Sequence, residues 1–361
     1  MFLKKVLTVF KKVRKILLVS TKDPFIYGGD SVFINSLENE LSKYFEVEKI
    51  FIPFSINPDL LEEQIEGLRK LKFDYGDLAI TSRPFSYAIK HHNKIVWFMH
   101  HIRYLYELWD TEFNILRRNK EKYLKLREKI IQYDNIFLKE CKKVFAISNN
   151  VKNRLEKFNG INAEVLYPPL PNKEKYFSQS QENFFFLPSR LATNKRQDLV
   201  ISALKHTKEN YKLVIAGQKD EKYFRKKIEP LLKEKQIVEK LEILDFVEEE
   251  KKIELYSKCL AILFTPFDED YGYITLEAFY SSKPVITCKD SGGPLEFVEH
   301  NFNGLVVDPT PQSIAEAMDY LFKHKKEAEK MGQNAKKTIE QKNIGWEKII
   351  EKMTSNKFSI L

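Results

Sequence analysis

Short apolar runs alternate with longer amphipathic stretches from residue 16 onward. The runs at 16–20 (ILLVS), 47–53, 77–81, 95–99, 143–148 and 163–167 read as strands of a sheet covered on both faces. Between them, helical spacing of apolar positions covers 31–44, 58–71, 111–140 and 150–158, with Asp30 placed to cap the first. Pro168-Pro169 and the polar run 172–182 interrupt the pattern as a linker would. Alternation then resumes with strands at 184–187, 212–217, 241–247 and 261–264. Helices are predicted at 199–205, from Gly272 onward, and at 312–323, 325–342 and 346–353. Strand–helix alternation of this kind predicts mostly parallel sheets with helices on both faces. The fold class is therefore α/β, with two doubly wound, Rossmann-like domains at 16–170 and 184–343, joined by a linker at 171–183. A helical tail occupies 344–361.

The first fifteen residues, MFLKKVLTVFKKVRK, stand apart from this alternation. Wound as a helix, Phe2, Leu3, Val6, Leu7, Val9, Phe10 and Val13 share one arc, and Lys4, Lys5, Thr8, Lys11, Lys12 and Lys15 share the other. This is the pattern of a helix lying in a membrane interface, lysines on anionic headgroups. Of the net charge of +9, the segment supplies +6 and no acid, leaving +3 for everything else. A nucleic-acid binder would instead place basic faces on its folded domains, so no nucleic-acid partner is expected. The lysines also break the apolar run a signal peptide needs, and no stretch is long enough to span a bilayer. Three scattered cysteines, Cys141, Cys259 and Cys288, lack metal-ligand spacing and suit a reducing compartment. The expected location is the cytoplasm, at the inner face of a membrane.

Candidate chemistry concentrates in 261–309, AILFTPFDEDYGYITLEAFYSSKPVITCKDSGGPLEFVEHNFNGLVVDP. A buried strand leads into an acidic loop, and a helix starts after Gly272. Unpaired N–H groups and the macrodipole at a helix start attract phosphate. A carboxylate beside a phosphate does not bind it, and would instead accept hydrogen bonds from hydroxyls. Glu269 in the loop and Glu277 about a turn into the helix fit that role. Phosphate together with several hydroxyls describes a nucleotide sugar. At the end of the 184–187 strand, SRLATNKRQD supplies Arg190 and Lys195, which would reach the mouth of the sheet and neutralise phosphate. Gly28-Gly29, before the first helix, would let the backbone approach a ligand closely. His100-His101 lies at the end of the 95–99 strand, where ligands of such sheets gather.

The chain resembles retaining glycosyltransferases of family 4, which have the two-domain GT-B fold with an interdomain active-site cleft. The resemblance rests on E-D-Y-G-Y-I-T-L-E (269–277), K-P-V-I-T (283–287), S-G-G-P-L-E (291–296) and N-G-L-V-V (303–307), in order. It implies that Glu269 lies against the donor sugar and that Glu277 holds the ribose. The turn of Gly272, Tyr273, Ile274 and Thr275 would offer backbone N–H groups to the diphosphate, with Arg190 and Lys195 neutralising it. Gly217 would lie near the base and Gly29 at the cleft. The segment WFMHHIRYLYELWD resembles surface-polysaccharide members, which makes His100 a candidate beside the donor sugar, with Arg103 downstream and His101 as fallback. Asp245 stands where relatives have glycine. The final helix would cross back onto the N-terminal domain.

The resemblance thus implies retaining transfer of a sugar from a nucleotide-sugar donor, GDP-mannose or a UDP-sugar, to a glycan or lipid-linked acceptor. No cofactor and no metal are expected, because basic residues and helix N–H groups carry the leaving-group charge. Two other readings stay open. Asp268-Glu269-Asp270 after a strand also suits the metal-binding D-x-D of a different glycosyltransferase fold. A non-catalytic protein that binds nucleotide sugars or membranes could share the fold.

Overall fold

The structure, a computed structural model, describes residues 13–22 and 29–355. The chain divides into two compact units, Met1–Pro169 together with Gly345–Leu361, and Leu170–Ile344. Each is built on one six-stranded sheet whose neighbouring strands all run parallel.

In the first unit the strands are β1 (Lys15–Lys22), β2 (Glu46–Pro53), β3 (Leu78–Thr81), β4 (Lys94–Phe98), β5 (Lys143–Ala146) and β6 (Glu164–Val165). Their order across the sheet is β2-β1-β3-β4-β5-β6. The central strands β3 and β4 are buried at every position, because helices and turns cover both faces; the apolar run Ile95–Phe98 meets that demand, and Lys94 ahead of it donates to the Tyr87 and Ile89 carbonyls. The last helix, Trp346–Thr354, belongs to this unit. It buries Ile349, Ile350 and Met353 and sets the Trp346 ring edge-on to Trp97 at 6.2 Å.

The amphipathic segment called helical over 1–15 falls mainly on residues 1–12, outside the described residues. Its last three positions differ from that expectation. The Arg14 and Lys15 amides donate to the Asp77 carboxylate at 2.6 and 2.9 Å, and Lys15 pairs with Glu46 to open β1. Val13 is buried in the unit. The backbone there is extended because the Asp77 carboxylate holds its amides while the Glu46 and Asp77 amides take the Arg14 and Lys15 carbonyls. A second departure lies at 111–140, where only Leu124–Lys139 is α-helical. Buried Asn114 donates to the Tyr104 and Trp109 carbonyls at 3.1 and 2.8 Å and accepts from the Leu116 amide at 2.7 Å. Side-chain bonds of this kind compete with the helix ladder, and the segment Arg117–Tyr123 is a 3-10 stretch broken at Asn119.

The second unit contains β7 (Phe184–Pro188), β8 (Lys212–Ala216), β9 (Leu241–Leu244), β10 (Ala261–Leu263), β11 (Val285–Cys288) and β12 (Gly304–Val307). The order is β12-β11-β10-β7-β8-β9. From β7 the chain builds outward through β8 and β9, then returns to the other side of β7 and builds outward again from β10. The loops that follow β7 and β10 therefore diverge at a topological switch point, where doubly wound sheets bind ligands. A core including Phe185, Leu213, Ile215, Leu263, Ile286 and Met318 holds the sheet.

The polar run read as a linker is part of this second unit. The amides of Gln179 and Glu182 donate to the carbonyls of Ser257 and Lys258 at 2.9 and 2.8 Å, and Tyr176 is buried. The buried Tyr176 and backbone pairing fix a segment whose other side chains, apart from exposed Phe177, are polar. Among the described residues no helix is long and apolar enough to cross a membrane.

Candidate active site

The switch point of the second unit brings together most of the residues singled out from the sequence. Lys195 ends a short 3-10 turn, Thr193–Lys195, after β7. Its ammonium donates to the Glu269 carboxylate at 2.6 Å and lies 5.6 Å from the centre of the Phe264 ring. Arg190, from the same loop, is exposed and makes no side-chain hydrogen bond or ion pair with a described residue. Its guanidinium is thus available to an anion, while Lys195 is pre-paired.

The loop carrying Glu269 is held as an extension of the sheet. Asp268 and Glu269 donate their amides to the carbonyls of Asp290 and Ser291, both at 2.9 Å, and the Gly293 amide returns to the Glu269 carbonyl at 2.8 Å. Gly293 is required there because a Cβ would stand 2.6 Å from the Tyr271 carbonyl oxygen. The S-G-G-P block is thus the backbone partner of the D-E-D-Y-G block. Gly272 then takes a φ of 89°, which favours glycine, and starts the helix Tyr273–Tyr280 with no side-chain cap. First-turn amides of such a helix have no partner within it, so Tyr273 and Ile274 present N–H groups to an anion. The hydroxyls of Tyr273 and Thr275 are buried without a hydrogen-bond partner among the described residues. Burial holds the Tyr273 phenol well above its ordinary pKa.

Gly217, at the exit of β8, does a related job. A Cβ there would meet the Ser189 carbonyl oxygen at 2.3 Å and the Arg190 amide at 2.8 Å. Its absence of a side chain lets the β8 exit close on the loop that carries Arg190. Asp245 bonds Lys219 at 2.7 Å, and its carbonyl accepts from the Gly217 amide at 3.2 Å.

Two residues that sequence reasoning passed over organise these loops. Arg196 has a φ of 55° and is buried. Its guanidinium grips Asp290 with two hydrogen bonds of 2.8 and 2.7 Å and donates to the Thr265 and Pro266 carbonyls, both at 2.8 Å. Gln197, fully buried, donates to Ser189 Oγ at 2.6 Å and to the Arg190 carbonyl at 2.9 Å. Their only sequence signal was adjacency to Lys195.

Glu277 is set apart from the Lys195–Glu269 pair by its own partners. Its Oε1 accepts from Tyr176 at 3.0 Å and Lys252 at 2.9 Å, and its Oε2 from Tyr256 at 2.5 Å. Lys252 also reaches Glu249 at 3.0 Å. Burial pulls the Lys252 ammonium down, but the two carboxylates together outweigh it and hold its pKa above the ordinary value. Burial, reinforced by Glu277, keeps both phenols protonated far above their usual range.

The remaining candidates lie in the first unit. His100 is half-buried just past β4, with Nδ1 2.7 Å from the His101 carbonyl. His101 is buried, 2.8 Å from Asn159 and stacked on Tyr106 at 4.1 Å, which makes it a packing group. Arg103 pairs with Glu107 at 2.5 Å, and Arg154 joins the same carboxylate at 3.2 Å. Gly29 opens the helix Gly29–Leu41; Gly28 lies outside the described residues. Among the described residues no three His, Cys, Asp or Glu side chains converge as a metal site would require.

Residues 171–338 match the family model described as glycosyl transferases group 1. The chain is 26% identical over 215 residues to the human alpha-1,3/1,6-mannosyltransferase ALG2, a match covering 53% of this chain and 51% of that protein. It is 27% identical over 153 residues to the O-antigen chain mannosyltransferase RfbU of Salmonella typhimurium, covering 41% of this chain and 42% of RfbU. It therefore spans about half the length of the curated relatives it matches. The structure is similar to that of Anabaena Alr3699/HepE in complex with UDP and glucose, with TM-score 0.68, 16% identity, and 94% and 99% of the two chains covered. Two parallel sheets in this order, the glycine-dependent loops at the switch point and these matches lead to one assignment: the chain has the GT-B fold, and its second unit carries a glycosyl transferases group 1 domain.

Proposed function

We propose that this protein is a retaining glycosyltransferase that moves a hexosyl group from a nucleotide sugar to a glycan or lipid-linked acceptor. The observation that carries the reading is the Lys195–Glu269 pair beside an uncapped helix start at the switch point. Lys195, Arg190 and the amides of Tyr273 and Ile274 take the diphosphate, whose negative charge grows as the sugar leaves. Glu269 accepts hydrogen bonds from the sugar's hydroxyls, and Glu277 from those of the ribose. Charge stabilisation by these groups requires no metal. Donor attribution to GDP-mannose is supported by the mannosyltransferase relatives, and to a UDP-sugar by the UDP-bound neighbour.

A panel of nucleotide sugars tests this, with release of free nucleoside diphosphate as the readout. Turnover of one donor, rising with a polyprenyl-linked or oligosaccharide acceptor, is the expected result. Tight nucleotide binding with no turnover on any donor would make the protein a binder instead. The N-terminal sequence pattern supports a peripheral location on an anionic cytoplasmic membrane face, bringing the enzyme to lipid-linked acceptors.

A further inference from the structure

The partners of Glu277 are more numerous than a structural glutamate on a short helix requires. A carboxylate offers about four lone-pair positions. Three are occupied, by Tyr176, Lys252 and Tyr256. Those donors come from two separate segments, Tyr176 from the strap ahead of β7 and the other two from the helix Glu249–Lys258. Tyr176 is itself drawn toward a second carboxylate, Glu249, at 3.2 Å, and Lys252 bridges both acids. The result is a network in which buried Glu277 and two buried phenols are joined by half-buried Lys252 to the exposed Glu249, leaving the Glu277 side chain one orientation. The fourth lone pair can accept only from a donor. A phosphate offers none, whereas a sugar hydroxyl does.

We propose that Lys252 and Tyr176 are positioning residues for the donor, holding Glu277 in one rotamer so that its remaining lone pair meets a ribose hydroxyl of the nucleotide. This rests on the proposed function, and extends it to side chains that touch neither the sugar nor the phosphates. Lys252 supplies a countercharge 2.9 Å from the buried carboxylate, so the contact is charge-assisted. Tyr176 supplies direction, since its hydroxyl and the Lys252 ammonium together fix Oε1. A side effect is that the strap 170–183 is tied to nucleotide binding through a single phenol.

Equilibrium binding of UDP and GDP, each beside its 2′,3′-dideoxy analogue, separates these roles. For whichever base binds, wild-type protein prefers the ribose form by about tenfold or more, as expected for a charge-assisted hydrogen bond. Lys252→Met and Tyr176→Phe reduce that preference to within about threefold and leave the affinity for the dideoxy analogue unchanged, while Lys252→Arg restores most of it. A merely structural role would weaken both nucleotides equally. If Glu277→Gln abolishes the preference and the Lys252 and Tyr176 variants keep it, the positioning proposal is overturned while the site reading stands. No preference in the wild type overturns the ribose contact itself, and no binding of either nucleotide overturns the proposed function. Should Lys252→Met fail to fold, Tyr176→Phe, which deletes one oxygen, decides the matter alone.

Discussion

Lys195 and Glu269 stand 74 residues apart in sequence and 2.6 Å apart in space, with side chains only 19% and 15% exposed. The ammonium is therefore aimed and charge-compensated before any anion arrives. A diphosphate bound as proposed would need no new lysine to be recruited, only a share of one already in place. Glu269, in turn, is oriented by that same contact. Arg190 presents the contrast, an exposed guanidinium without a described partner.

Replacing these cations separates chemistry from folding. Lys195→Met and Arg190→Ala are each expected to cost about 2–4 kcal/mol in the transition state, a loss of roughly 30- to 1000-fold in turnover. Arg190→Ala leaves the melting temperature where it was, since surface changes of this kind stay within about 0.5 kcal/mol. Initial rates at saturating donor check both; near-wild-type rates in either would remove that residue from the diphosphate site.

Arg196 works on the loops and not on the substrate. Arg196→Lys exchanges a planar fork that satisfies three acceptor groups for a single ammonium, leaving Asp290 and the Thr265 or Pro266 carbonyl under-bonded. A destabilisation of about 2–4 kcal/mol in this region is expected. Hydrogen exchange followed by mass spectrometry is the suitable measurement. Peptides covering 264–272 and 289–293 should exchange faster, and unchanged protection there would refute the clamp.

Asp134 predicts a pH dependence in the first unit. It is buried, accepts from Tyr87 at 2.5 Å and also from Tyr106. Burial pushes its carboxyl up to about 7, although the two phenols pull the other way. The folded state thus keeps a proton that the unfolded chain loses near pH 4. Stability is highest below the unfolded value, declines as pH rises toward 7, and is level above that. Between pH 5 and 8 the loss is on the order of 2–3 kcal/mol, and Asp134→Asn should flatten it. All three tryptophans, Trp97, Trp109 and Trp346, lie in the first unit, so denaturant titrations followed by their fluorescence report on it selectively. A slope of the opposite sign would contradict the assignment.

Chelation addresses the acidic loop. If Lys195, Arg190 and helix amides carry the charge as proposed, EDTA should leave most of the transferase activity in place. Complete loss, reversed by manganese or magnesium, would transfer Asp268 and Asp270 to a metal-binding role.

The N-terminal segment makes its own prediction. Burying Phe2, Val6 and Phe10 at a lipid interface gains roughly 25 cal/mol per Å² of apolar area, and each lysine near anionic headgroups adds about 1 kcal/mol before screening. Full-length protein should co-sediment with vesicles containing phosphatidylglycerol and release in high salt. Because Lys15 opens β1, the deletion that tests this removes residues 1–12 only. Equal vesicle binding by the truncated protein would end the proposal.

Both sheets were legible because their strands are apolar runs that make sense only when covered on two faces. Lys195, Glu269, Gly217 and Gly272 were singled out in the sequence by residue type and by the family resemblance, and the structure places them on the loops at the switch point. Arg196 was not. Its role depends on a left-handed backbone and on carbonyls 69 and 70 residues away, and nothing local distinguishes it from Lys195. Tyr176 was hidden differently, by polar neighbours that made its segment look like a tether, with its partner Glu277 lying 101 residues ahead. The resemblance set His100 ahead of His101 in sequence, and in the structure His101 is the one buried against Tyr106 and Asn159.

The strand order of the second unit also sets when its site can come into being. β7 and β10 are neighbours in the sheet, yet the whole β8–β9 half is threaded between them in the chain. Closing so long a loop costs entropy that is recovered only when the two strands dock. Until then Lys195 and Glu269 belong to unconnected stretches of polypeptide. During refolding, nucleotide affinity should emerge together with that central docking, in a single kinetic phase, so the ligand itself can time the step at which this half of the protein becomes whole.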